Sequence, residues 1–177
     1  MEQQLSHPLD PVSEQIIKDI IKRYIAENPT TPTAVSYSKV RAHVTGGHQI
    51  ALSDVPTKCQ LAHEDYDTLE EFNTANYRFT ATTAGYYLIT GVVTIDTGVY
   101  TADDTFTIYI YKDGASYSLL RQIISDNNID VSLEITDIIY LAATNYIELY
   151  ASQSDAVASG EIKADETFLA ITRLPID

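Results

Sequence analysis

Two kinds of hydrophobic spacing divide this chain. Between Pro11 and Glu27, apolar side chains recur every three or four positions: Val12, Ile16, Ile17, Ile20, Ile21, Tyr24 and Ile25. That is the period of one helix face, and Glu14, Lys18, Asp19, Lys22 and Arg23 fall on the other. Asp10 is a suitable N-cap, Pro11 suits the first helical position, and Asn28-Pro29 ends the run. From Val35 onward the period shortens to two. Strands are predicted over 36–44, 57–63, 76–81, 86–95, 104–112, 115–124, 129–141, 145–152 and 166–174. Many short strands with turn signals between them indicate a sandwich or barrel. Lys112-Asp113-Gly114-Ala115 is the clearest hairpin, because Asp-Gly supplies the positive φ angles of a tight primed turn.

Between helix and strands lies Asn28-Pro29-Thr30-Thr31-Pro32-Thr33-Ala34, whose two prolines predict an extended, semi-stiff spacer. The organisation expected is a helix within 1–27, a linker at 28–34 and a β head at 35–177. A helix this short is marginal in water on its own. The stripe Val12, Ile16, Ile17, Ile20, Ile21 and Tyr24 must therefore be covered. Its own domain, a threefold self-association and docking onto a larger assembly all remain open.

Alternation also sorts the strand faces. Phe106, Ile108 and Ile110 oppose Thr105, Thr107, Tyr109 and Tyr111. Ile147, Leu149 and Ala151 oppose Tyr146, Glu148 and Tyr150, while Phe168 and Ala170 oppose Leu169 and Ile171. One set fills a core. The other is rich in aromatic and aliphatic groups, a composition that marks interfaces, although a Tyr-rich solvent face is the plain alternative.

Four segments carry a family likeness. Tyr66-Asp67 precedes a short strand with Phe79-Thr80-Ala81, then Ala84-Gly85-Tyr86-Tyr87, where Gly85 is expected to allow a sharp turn. Phe106 to Gly114 follows, then Leu141-Ala142-Ala143-Thr144-Asn145-Tyr146-Ile147-Glu148-Leu149, and last Thr167 to Leu174. In this order they resemble the C1q/tumour-necrosis-factor-like jelly roll, of the kind found as globular heads in phage and bacterial proteins. Thr144-Asn145 replaces the family's Gly-Asp, so that turn is expected to differ. The resemblance implies an all-β antiparallel sandwich over roughly Ser36 to Leu174, assembled as a compact homotrimer through aromatic sheet faces. The interface expected on that basis comprises Tyr87, Tyr109, Tyr111, Tyr146, Tyr150, Leu169 and Ile171. The trimer would bring three copies of the N-terminal helix together.

Charge narrows the partners. The formal net charge is −14, which repels phosphate backbones and argues against nucleic acid. The single cysteine, Cys59, leaves no intrachain disulfide framework. Neither a Sec signal nor a membrane-spanning run is legible, so a protein folded in the cytoplasm and placed on a virion or other extracellular particle is expected. No catalytic motif is present, and His43, His48 and His63 are the histidines of the β region. Cys59, His63, Glu64 and Asp65 lie close in sequence, but zinc wants three or four converging ligands, and a buried thiol with ordinary surface histidines is the favoured reading. No cofactor is expected, save calcium as a candidate at the oxygen-rich positions Asp103, Asp104, Asp126 and Asp130. Ligand recognition is expected in the loops 45–56, 64–75, 96–104, 125–130 and 153–165.

The functional expectation is a non-enzymatic trimeric structural or receptor-binding module, the head of a phage-type fibre or decoration protein. Its partners would be copies of itself, a surface receptor or glycan, and a larger particle held through the helix. The alternative is a carbohydrate- or protein-binding module of a bacterial surface or secreted system.

Overall fold

A computed structural model of the chain describes residues 10–27, 37–46, 49–96, 103–124, 130–154 and 160–175. The chain divides into two compact units, Met1–Val35 and Ser36–Asp177. In the first, helix α1 spans Pro11–Glu27. Asp10 caps it: Oδ1 accepts hydrogen bonds from the backbone N–H groups of Val12 (3.0 Å) and Ser13 (3.1 Å). Val12, Ile16, Ile17, Ile20, Ile21 and Tyr24 are 42–67% exposed, so the apolar stripe stands largely in solvent. No helix among the described residues is long and apolar enough to cross a membrane.

The second unit is built from strands in two antiparallel sheets. They are β1 (Lys39–His43), β2 (Gln49–Ala51), β3 (Thr57–Lys58), β4 (His63–Asp67), β5 (Phe72–Asn73), β6 (Arg78–Thr80), β7 (Gly85–Ile95), β8 (Asp104–Lys112), β9 (Ala115–Ile124), β10 (Val131–Leu141), β11 (Tyr146–Gln153), β12 (Glu161–Ile162) and β13 (Phe168–Arg173). In the first sheet β7 is central. It pairs with β10 along one edge and with β13 along the other, followed by β1 and β4, while β12 joins β7 at Ile95 and carries β2. The second sheet runs β5-β6-β11-β8-β9, with β3 paired to β11. This is an antiparallel jelly-roll sandwich, as the period-two pattern and the family likeness led one to expect.

The inward faces meet in a single core. Tyr87, Ile89, Val93, Leu169, Ile171, Val40, Leu133 and Ile139 of the first sheet face Phe106, Ile108, Ile110, Ile147, Leu149 and Phe79 of the second, all at most 2% exposed. Phe79 and Tyr87 meet ring to ring with centroids 5.5 Å apart. Cys59 is also fully buried, which pushes its thiol pKa up.

Several elements depart from expectation. The predicted strand 57–63 breaks after Lys58, because Cys59 and Leu61 turn inward to fill the core. The segment 64–75 is no plain loop. His63–Asp67 pairs with β1 and Phe72–Asn73 with β6, although His-Glu-Asp-Tyr-Asp has little strand character of its own. Gly85 opens β7 opposite Leu141 without a left-handed φ. Its small size matters instead, since an added Cβ would lie 2.8 Å from Arg173 Nε.

At the hairpin, Asp113 (φ 51°) and Gly114 (φ 80°) adopt the expected primed turn between β8 and β9. The turn that replaces Gly-Asp has a cost: Thr144 sits at φ 76°, a region hostile to β-branched side chains. It is held by Thr144 N–H donating to Ala81 O (2.8 Å) and Ala142 N–H donating to Asn145 Oδ1 (2.8 Å). Thr144→Gly is expected to raise stability by about 1 kcal/mol, read as a higher urea midpoint at unchanged slope. A lower midpoint would mean that the threonine side chain makes contacts worth more than the strain.

Candidate interaction surfaces

Two outer faces deserve comparison, and they differ in kind. On the second sheet, Tyr109 and Tyr111 of β8 lie beside Tyr146, Glu148 and Tyr150 of β11. Tyr111 and Tyr150 stack at 4.0 Å with 22° between planes, and Tyr109 meets Tyr111 edge-on at 6.0 Å. The Tyr109 hydroxyl lies 3.0 Å from Ser152 Oγ. Glu148 is 4% exposed and takes the Lys58 ammonium of β3 at 2.5 Å. The Arg78 guanidinium covers the Tyr146 ring at 4.6 Å. Burial first, and the Glu148 charge next, push the Tyr150 phenol up to about 12. These tyrosines form a half-buried layer in which the Tyr109 and Tyr150 hydroxyls and several ring faces have partners within the chain.

The outer face of the first sheet is barer. Tyr86 (49% exposed) stands opposite Tyr140 (49%), and Leu88 (37%) opposite Ile138 (56%). The two tyrosine rings touch edge to face at 5.3 Å. Beyond them the β10 face turns polar through Thr136, Glu134 and Ser132, so the apolar part is a bounded patch. A second exposed apolar strip runs along β9, where Tyr117, Leu119 and Ile123 are 54–66% exposed and Leu120 39%. Leu119 and Ile123 share the outer side of the second sheet with their cross-strand partners Tyr109 and Thr105.

The seven residues expected at an interface are therefore split. Tyr109, Tyr111, Tyr146 and Tyr150 lie together on the second sheet's outer face. Tyr87, Leu169 and Ile171 do not join them: they are core residues, 0–1% exposed, and out of reach of any partner. The strand phase explains the correction. Leu169 pairs with Ala42 and Gly91, and Ile171 with Val40 and Ile89, all inward-facing. Their sequence neighbours Phe168, Ala170 and Thr172 share the outer side with Arg41 and Lys39. By the same shift of one residue, Tyr86 and Leu88 take the outer positions that the sequence pattern had assigned to Tyr87. The continuous inward series Tyr87, Ile89, Gly91, Val93 and Ile95 was the available signal.

The two ends of the sandwich also differ. The chain enters at Ser38 and leaves at Arg173, which bond to each other at 3.0 Å, beside the short turns at Asp113-Gly114 and Ala142–Asn145. The strand termini at Ile95, Asp104, Val131, Gln153 and Glu161, which bracket most of the expected recognition loops, lie at the opposite end. Of the calcium candidates, Asp104 is 5% exposed and accepts from Gln153 Nε2 at 2.7 Å, while Asp130 pairs with Lys163 at 2.6 Å. With Asp103 they form no converging set of three ligands among the described residues, and Asp126 lies outside those residues. Cys59 and His63 are likewise separated, one in the core and one on the surface.

Neither a family model nor a curated protein sequence matches this chain. Solved structures do. Murine APRIL superposes with a TM-score of 0.58 at 13% identity, covering 78% of this chain and all of that one. Eiger TNF from S. frugiperda gives 0.57 at 11% identity, covering 80% of this chain and 94% of that one. The globular domain of zebrafish complement 1qA gives 0.57 at 6% identity, with 80% and 100% covered. At such identities the likeness speaks for backbone architecture alone, and on that point it is clear: this chain carries a C1q/TNF-like jelly roll.

Proposed function

We propose that this chain is a non-enzymatic homotrimeric recognition module. The observation that carries this reading is the bounded patch Tyr86, Leu88, Ile138 and Tyr140, left 37–56% exposed on the first sheet. A contiguous apolar area of that kind on a soluble domain marks a contact surface. The apolar strip on β9 supplies a different surface on the same subunit. Two unlike surfaces are what a head-to-tail ring requires, and a threefold ring closes it. The fold likeness favours the same assembly. The Tyr layer of the second sheet and the loops at the far end then remain for an outside partner, a protein receptor or a glycan.

The finer reading places the module at the head of a phage-type fibre or decoration protein. It is supported by the order of capped helix, proline spacer and head, and by the exposed stripe on α1, which suits threefold packing or insertion into a larger particle.

Multi-angle light scattering of the full chain tests the assembly. The expected mass is three times 19.6 kDa. Leu88→Glu combined with Ile138→Glu should yield a folded monomer, because both positions are exposed in the single subunit. A wild-type monomer at tens of micromolar would overturn the reading, as would a charged double variant that stays trimeric.

A further inference from the structure

One cluster of side chains lies on the outer side of the first sheet at its β1–β4 edge, away from the apolar patch on β7 and β10. The ladder between β1 and β4 sets His43 directly opposite His63, with ring centroids 4.7 Å apart. One step along, the register shifts: Ala42 faces Glu64 and Arg41 faces Tyr66, so Asp65 is the extra residue of a bulge. A bulge re-aims a side chain that regular alternation would have placed elsewhere. Here it brings Asp65 Oδ1 to 3.1 Å from His43 Nδ1. The other carboxylate oxygen is held by the Arg41 guanidinium, whose carbon sits 4.4 Å over the Phe168 ring.

The donor atoms of His43, His63 and Asp65 all lie within 4.8 Å of one another. Around a zinc-sized ion at its usual bond lengths they would stand about 3.4 Å apart. Modest rotation of the exposed His63 and Asp65 side chains covers that difference. His43 is the fixed member: its side chain is 14% exposed, and Nδ1 is buried with no hydrogen-bond partner despite its closeness to Asp65. An unsatisfied buried nitrogen is costly, and a metal ion would satisfy it. On the far side of the same ring, Asp165 Oδ1 lies 3.7 Å from Nε2, beyond hydrogen-bond reach but close enough to attract its N–H.

We propose that His43, His63 and Asp65 form a binding site for a divalent transition-metal ion of the zinc class, at the β1–β4 edge of the first sheet. Two imidazoles with one carboxylate suit such an ion better than calcium or magnesium. Arg41 acts as a positioning residue that fixes which Asp65 oxygen faces the ion. Water completes the coordination, so the site is open to a donor group from a partner molecule.

Calorimetric titration of tag-free, chelator-treated full chain with zinc sulfate at pH 7.5 tests the site. One equivalent per chain is expected, with magnesium giving no heat. His63→Ala should weaken binding at least about tenfold, and His63→Cys, which keeps a ligand, should restore most of it. Thermal melts provide a second readout: zinc raises the midpoint of the wild type but not of His63→Ala. Absence of zinc heat in the wild type overturns the proposal. So does binding that survives in His63→Ala, which would assign it to His7 or His48.

Discussion

Replacing Tyr87 by Ala is expected to lower the free energy of unfolding by about 3–5 kcal/mol, the range for removing a buried aromatic ring. Tyr87 is 0% exposed near the start of β7, the strand on which the first sheet is organised. Its ring packs on Phe79 across the sandwich, and its hydroxyl donates to the Thr83 carbonyl at 2.6 Å. Tyr87→Phe separates the two contributions. It keeps the ring and loses one hydrogen bond, so a cost of about 0.5–1.5 kcal/mol is expected. Urea denaturation followed by far-UV circular dichroism measures both, at one protein concentration, because assembly would make the midpoint concentration-dependent. A small loss for Tyr87→Ala coupled to a change in oligomer mass would return this residue to an interface and invert the phase of β7.

Gly91→Val should be nearly as damaging, for the opposite reason. A Cβ at Gly91 would fall 2.5 Å from Leu149 Cδ1 of the facing sheet and 3.4 Å from Ile135 Cγ2. Leu149 is itself 0% exposed, so it cannot swing out into solvent to make room. Overpacking of this kind costs about 1–3 kcal/mol. Leu149→Ala alone leaves a cavity and should cost about 2–5 kcal/mol. Together the two changes fill each other's misfit, and the double variant should be more stable than the sum of the singles by about 0.5–3 kcal/mol. Strict additivity would show that the sheets do not meet at this point.

These positions also show what was legible beforehand. β8 and β9 could be bounded to the residue, because ten-residue alternation and an Asp-Gly turn reinforce each other. β2, β5 and β12 could not: two or three residues carry no period, and their pairing comes wholly from neighbours. β4 failed for a related reason, since a polar edge strand is selected by the ladder it joins. Phase was the harder problem. In Tyr86-Tyr87-Leu88 every residue is apolar enough for either side, and the inward choice depends on which neighbours in β13 and β10 share the face. Tyr109, Tyr111, Tyr146 and Tyr150 were correctly grouped, because Glu148 and the threonines mark their side of the strand. The His43–His63 pair was invisible. Twenty positions separate the two rings, and only the strand register with its bulge brings them together with Asp65.

The placement of β13 has a consequence for how the head is made. Among the described strands the last, β13, lies between the first, β1, and the central β7. While the protein is being synthesised, both neighbours wait with open edges until residues 168–173 emerge. Closure is therefore a late event of large sequence separation, which places this domain among slow folders. In a crowd of nascent chains, the same slot can accept β13 from another copy. Strand exchange between copies of the chain is thus the misassembly expected of this topology.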